Sequence, residues 1–271
     1  MNTPVHLSSV LRAAEREGRL NLRIADLAAA LPGVSPQALR QALYRQQLRG
    51  AIVRVSRGAG HWLIVPHLHA ASGAPPLEAW LDFYLAKTLR LPYYVGLLSA
   101  AEIYGASPYA VTVTQVVVPA PRRRVTVGRH VLVFHARHDV ARMPTRWHET
   151  ADGRFKVSTP ELTALELVQR EAQVGGAARV QEVLRRLCQS CSMSGVLQAL
   201  DATQEVPSAQ RLGALLSAAG ITELALCISH WLKVRKVRAV PLESGQSANS
   251  DGVLDPDFKV WLPSDLERAN A

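Results

Sequence analysis

The chain has little of what secreted or membrane-embedded proteins are built from. Cysteine is scarce: Cys188, Cys191 and Cys227 are three among 271 residues. An odd count suits a reducing compartment better than a disulfide framework. No apolar run reaches the roughly 20 residues of a membrane span. The opening stretch MNTPVHLSSVLRAAEREG holds no apolar signal core. The expectation is a soluble, cytoplasmic protein with no membrane contact.

Catalytic signatures are equally sparse. No glycine loop follows a strand to cradle phosphate, and Gly175-Gly176 lies in a helical region. Nine histidines show no HExxH or other metal-ligand spacing. His130, His135 and His138 are close in sequence, but a hairpin sends them to different faces. Cys188-Gln-Ser-Cys191 has CxxC spacing without a second ligand pair, so buried or half-exposed thiols are the expectation. Asp255-Pro-Asp257-Phe-Lys259 faintly echoes a nuclease carboxylate–lysine pattern. It lacks the second acidic group that a metal nuclease needs, and a turn into a last strand, Phe258 to Leu262, suits it better. The chain therefore reads as a non-enzyme with no cofactor and no metal site.

Basic charge is present in quantity, nearly all of it arginine. The net charge is +9, unevenly spread. Residues 1–70 carry 9 Arg against 3 acids, residues 71–157 carry 11 basic against 6 acidic residues, and residues 158–271 carry 11 against 13. The first two segments face a polyanion better than the last. Guanidinium also suits bidentate contact with phosphate.

Residues 24–65 are the most informative stretch. Ile24, Leu27, Ala28 and Leu31 recur at helical spacing, and Pro32-Gly33 stops that helix. Val34 is expected to pack inward. Ser35 at the N-cap and Pro36 at the first helical position start a second helix running to Arg49. Leu39, Leu43 and Leu48 are expected in its core face. Gln37, Arg40, Gln41, Tyr44 and Arg45 are left for an exposed face, with types that match base edges and phosphate in a major groove. Two strands follow, around Ile52–Val55 and Trp62–Val65, joined by Ser56-Arg57-Gly58-Ala59-Gly60. Arg54 and Arg57 are placed to reach phosphate or the minor groove. An upstream helix from Leu7 to Glu17 completes the set, with Leu7, Val10, Leu11 and Ala14 inward. Helix, turn, helix and two-stranded wing are the order of a winged helix-turn-helix. The candidate double-stranded DNA site is Ser35, Gln37, Arg40, Gln41, Tyr44, Arg45, Arg54 and Arg57.

His69 to Pro76 has linker composition, which sets a domain boundary between residues 1–70 and residues 77–271, the latter divisible near 157. A helix is expected from Leu77 to Leu89 and another up to Gly105. Thr114–Val118, a basic strand Arg122–Val127 and its partner His130–His135 follow. Alternation along that basic strand would send Arg122 and Arg124 to one face and Arg123 to the other. With Arg129 and Arg137 they form a candidate second basic surface. Thr159 caps and Pro160 opens a further helix. Helices are also expected near Ala178–Cys188, Ser194–Leu200, Ala209–Ala219 and Thr222–Val234. Gly213 is expected to permit close helix packing. The fold class is α+β, a winged helix-turn-helix followed by a mixed α/β domain.

One series of segments has a familiar order. It comprises the winged helix, Tyr93-Tyr-Val-Gly-Leu-Leu-Ser-Ala-Ala-Glu-Ile-Tyr-Gly105, Gln115-Val-Val-Val-Pro119 and the Arg122-Arg-Arg hairpin. Val157-Ser-Thr-Pro-Glu161, Gln210-Arg-Leu-Gly-Ala-Leu-Leu216 and Asp255-Pro-Asp-Phe-Lys-Val260 complete it. Together they resemble the AbiEi-type antitoxins of bacterial type IV toxin–antitoxin systems. Tyr104 departs from the pattern, standing where a His is expected. The resemblance implies an autorepressor that binds inverted repeats in its own promoter and an antitoxin domain that neutralises a nucleotidyltransferase-like toxin. The alternatives are a ligand-responsive winged-helix regulator and, further off, a metal-dependent nuclease.

Overall fold

A computed structural model describes residues 6–56, 58–243 and 252–263. The architecture is mixed α+β. The chain divides into two compact units. The first comprises residues 1–93, 116–138 and 147–156; the second comprises residues 94–115, 139–146 and 157–271.

The first unit begins with α1 (Leu7–Arg16), β1 (Asn21–Arg23), α2 (Ile24–Ala30), α3 (Pro36–Leu48), β2 (Ile52–Ser56) and β3 (His61–Ile64). The three strands form one antiparallel sheet in the order β1-β3-β2. Helices and sheet share a core of Leu7, Leu11, Ala14, Leu22, Leu27, Leu31, Leu39, Leu43, Ile52, Trp62 and Ile64, with Val10 packed at its margin. Each helix contributes residues three or four apart, the spacing that gathers one face. Two expected core residues lie outside it: Val34 is 37% and Leu48 69% exposed.

The stretch read as a linker is folded. His67–Ser72 forms a 3₁₀ turn, and Ser72 Oγ donates to the His69 and Ala74 carbonyls at 2.9 and 2.8 Å. This composition-based boundary thus falls inside the first unit. The expected helix from Leu77 to Leu89 is instead a 3₁₀ turn, Leu77–Ala79, and a wider π turn, Phe83–Thr88. Trp80, at φ −142°, separates them. A buried polar chain ties this part to β1 and β3. Asn21 Nδ2 donates to the Ala79 carbonyl at 2.8 Å, which turns Asn21 Oδ1 toward His61 Nε2 at 3.1 Å. The His61 ring stacks on Tyr84 and tilts against Phe83.

Strands β4 (Tyr94–Val95), β5 (Thr114–Val118), β6 (Val125–Val127), β7 (His130–Ala136), β8 (Thr145–Thr150) and β9 (Gly153–Ser158) make a six-stranded sheet ordered β6-β7-β5-β4-β9-β8. The basic strand is shorter than expected. Pairing with β7 starts at Val125, opposite Leu132, so Arg122, Arg123 and Arg124 lie in an unpaired lead-in. All three are exposed rather than alternating. The β8–β9 hairpin is additional to the expected strands, and Asp152-Gly153 at its turn is its sequence signal.

In the second unit α4 (Leu97–Ile103) follows β4, and a helical array follows β9: α5 (Pro160–Gln169), α6 (Glu171–Val174), α7 (Ala177–Leu187), α8 (Met193–Thr203), α9 (Val206–Ala218) and α10 (Thr222–Lys233). Thr159 Oγ1 accepts the Leu162 N–H at 3.3 Å and Pro160 opens α5. Three short strands, β10 (Val240–Pro241), β11 (Gly252–Asp255) and β12 (Val260–Pro263), close the described chain in the order β10-β12-β11.

Candidate nucleic-acid interface

Helix α3 starts as its sequence dictates. Ser35 Oγ accepts the Ala38 N–H at 3.2 Å, and Pro36 has no N–H to lose. Leu39 and Leu43 are buried, which fixes the helix's rotation. Gln37, Arg40, Gln41, Tyr44 and Arg45 are consequently all exposed, and their spacing of three, one, three and one places them on one stripe. Leu48 extends that stripe. The helical period itself, 37-41-44-48, carried the signal that separates Leu48 from the core positions 39 and 43. Ser35 is exposed too, but its oxygen is engaged in the cap.

The β2–β3 ribbon adds Arg54. Its guanidinium lies 4.4 Å from the Trp62 ring centroid, and Trp62 is buried and directly opposite in register. Stacking holds the flat face of the guanidinium and leaves its N–H edge for an acceptor. A register shift between Arg54 and Ser56 bends the ribbon before its turn. Arg57 lies outside the described residues.

Of the second basic group, Arg122, Arg123, Arg124 and Arg129 are exposed and Arg137 is half-buried. Arg129 sits in the Gly128-Arg129 turn, and its N–H donates to the Ser72 carbonyl at 3.0 Å. Gly128, at φ +55°, is needed there: a Cβ would stand 2.7 Å from the Gly73 carbonyl carbon and 2.8 Å from the Ala74 nitrogen. All five arginines belong to the same unit as α3, and β6, which their lead-in enters, packs beside β2. That unit carries 18 basic against 7 acidic residues, a balance of +11, while the other carries 13 against 15.

The residues that hinted at chemistry have structural partners. Asp255 Oδ1 accepts the N–H groups of Asp257 and Phe258 at 2.9 and 2.8 Å, closing a turn. Gln210, buried on α9, donates to the Arg238 and Phe258 carbonyls, both at 2.8 Å, and Arg211 donates to the Pro241 carbonyl. The motifs at 210–216 and 255–260 are thus two sides of one packing contact. A hydrogen bond with Cys188, with burial adding to it, raises the Cys191 thiol pKa and keeps it protonated. The Tyr104 hydroxyl donates to the Ser158 carbonyl beneath the Arg146 guanidinium, and burial pushes its pKa up to about 12. Glu161 accepts the Ser192 N–H at 2.9 Å at the start of α8. Among the described residues no group of three or more His, Cys, Asp or Glu gathers as a metal site, and no helix is long and apolar enough to cross a membrane.

No curated protein matches the chain in sequence. The crystal structure of the RV2827C protein from Mycobacterium tuberculosis is similar in fold. It is 19% identical, with a TM-score of 0.66 over 93% of this chain and 89% of that one. The AbiEi antitoxin C-terminal domain family matches residues 94–218, from β4 to the end of α9. Residues 94–218, a little under half of the chain, are thus similar to the C-terminal domain of the AbiEi-type antitoxins.

Proposed function

We propose that the chain is an antitoxin that also represses its own operon, with residues 1–70 acting as a winged helix-turn-helix and residues 77–271 as the antitoxin domain. The observation that carries this reading is the single exposed stripe of Gln37, Arg40, Gln41, Tyr44 and Arg45 on a capped helix, followed by an antiparallel ribbon. A helix about 10–12 Å across with its side chains fits a major groove about 12 Å wide. Arg40 and Arg45 pair with guanine edges, Gln37 and Gln41 with adenine, and Tyr44 with phosphate. Arg54 and Arg57 hold the flanking backbone, and the arginine lead-in to β6, a strand that packs beside β2, extends the footprint. Binding across promoter repeats then excludes polymerase. The partner of the antitoxin domain is a nucleotidyltransferase-like toxin, and both activities belong in the cytoplasm.

Footprinting and mobility shifts on the upstream DNA test the reading. Arg40→Ala with Arg45→Ala should abolish the shift while circular dichroism stays unchanged; undiminished binding by this variant overturns it. With roughly six phosphate contacts, log K against log salt should fall with a slope near −5. Co-expression with an adjacent toxin gene tests neutralisation separately.

A further inference from the structure

The β8–β9 hairpin carries an aromatic and cationic feature separate from α3 and from the arginine lead-in. Trp147 on β8 is 41% exposed. Strand alternation sets Trp147 and Glu149 on one face and His148 on the other. On β9 Phe155 is buried, whereas Arg154 and Lys156 are exposed. The Arg154 guanidinium lies 4.6 Å and Lys156 Nζ 5.6 Å from the Trp147 ring centroid. On the opposite face the His148 and Phe155 rings meet at 5.1 Å. The hairpin therefore has an inward aromatic contact and an outward indole that carries two cations over its ring and keeps part of its surface open to solvent. Glu149, 3.2 Å from Arg154, steadies one of them and leaves that face with a net positive charge. β8 ends its sheet. Charges alone would protect such an edge from pairing; the exposed indole adds a flat apolar surface there.

We propose that this face is a stacking platform for a single-stranded polynucleotide. A base freed from a duplex offers a flat π-face, which the exposed indole matches, while Arg154 and Lys156 meet the flanking phosphates. A paired base is stacked on both sides and offers only its edges, which this surface has no groove-entering element to read. Stacking is tolerant of sequence, so the site holds strands without selecting among them.

The test uses the full chain and fluorescence anisotropy with labelled oligo-dT and oligo-U of about 12 nucleotides, within the length such sites cover, and a labelled promoter duplex. The wild type should bind one or both single strands, and a preference assigns DNA or RNA. Trp147→Ala should weaken that binding about tenfold, and Trp147→Phe should keep most of it. Arg154→Ala with Lys156→Ala should flatten the single-strand salt slope by about 1.4. Duplex binding by Trp147→Ala should be unchanged, which separates this site from the α3 interface. The proposal is overturned if the wild type binds neither oligonucleotide at about 50 mM salt, if Trp147→Ala binds them as tightly as the wild type, or if it loses duplex binding in equal measure.

Discussion

Gly213→Ala sets two opposing effects against each other, and the geometry decides between them. Gly213 is buried within α9 at an ordinary helical φ, so helix propensity alone favours alanine by about 1 kcal/mol. A Cβ there, however, would stand 3.0 Å from Phe258 Cζ and closer still to Cδ1 and Cε1. Phe258 is 3% exposed, and its carbonyl accepts from Gln210 at 2.8 Å, so the ring has neither space nor slack to retreat. Overpacking of this kind costs about 1–3 kcal/mol, occasionally more. The net expectation is a loss of up to about 2 kcal/mol, read as a lowered urea midpoint by intrinsic fluorescence. Phe258→Leu should be destabilising alone, through lost ring contacts, yet should remove the clash. In that background Gly213→Ala becomes neutral or stabilising, and the cycle shows a coupling of about 2 kcal/mol. If Gly213→Ala raises the midpoint in the wild-type chain, propensity has won and the account of this contact is wrong.

The other predictions concern the first unit. His61 is buried with its Nδ1 unpartnered among the described residues, and desolvation, helped by Arg23, lowers its pKa to about 4 from the ordinary 6.5. The folded ring stays neutral while the unfolded one protonates, so stability should be full above pH 6.5 and fall toward pH 4 by up to about 3 kcal/mol. Urea midpoints at pH 7.5 and pH 4.5, repeated in His61→Phe, check this; an equal pH dependence in the variant assigns the loss to other groups. Ser35→Ala removes the α3 cap and should cost about 1 kcal/mol in thermal unfolding, with unchanged melting as the refuting result. On the promoter, reversing Arg54 to Glu should weaken binding and flatten the salt slope by about 1 or more, and an unaltered slope removes the ribbon from the interface.

Local rules carried the reading where one strong signal sat at each end of an element. Ser35-Pro36 and Thr159-Pro160 start helices within a residue of the expected place, because a capping oxygen and a missing N–H act over a single turn. The reading failed where neighbours distant in sequence decide. Arg122–Arg124 lead directly into a strand, but β7 pairs only from Val125, and nothing local says where a ladder begins. Leu77–Leu89 has helical composition, yet Leu89 N bonds the Tyr84 carbonyl, five residues back, and Trp80 turns away from helical φ. The Trp147 hairpin was missed although Asp152-Gly153, a favoured hairpin dipeptide, lies at its turn, because the flanking residues Thr145 to Lys156 mix charges and aromatics instead of alternating apolar and polar positions. Leu48 was misassigned by residue type although the period placed it correctly.

The charge partition bears on how the two activities should be separated. Residues 94–218 match the antitoxin domain, but 116–138 and 147–156 of that stretch belong to the unit that holds α3 and a balance of +11. The basic segment at 122–129 is therefore part of the matched domain by sequence and part of the strongly basic unit by packing. Cutting the chain after residue 70 would remove Asn21 from the Ala79 carbonyl and the His61 ring from Phe83 and Tyr84. It would also take away β2, against which β6 packs. Loss of toxin neutralisation by such a truncation could then reflect a damaged unit rather than a shared function. Arg40→Ala with Arg45→Ala leaves those contacts intact, because both side chains are exposed on α3. If repression and neutralisation are independent, this double variant should lose the first and keep the second in co-expression. Loss of both with an unchanged melting temperature would mean that neutralisation itself runs through DNA.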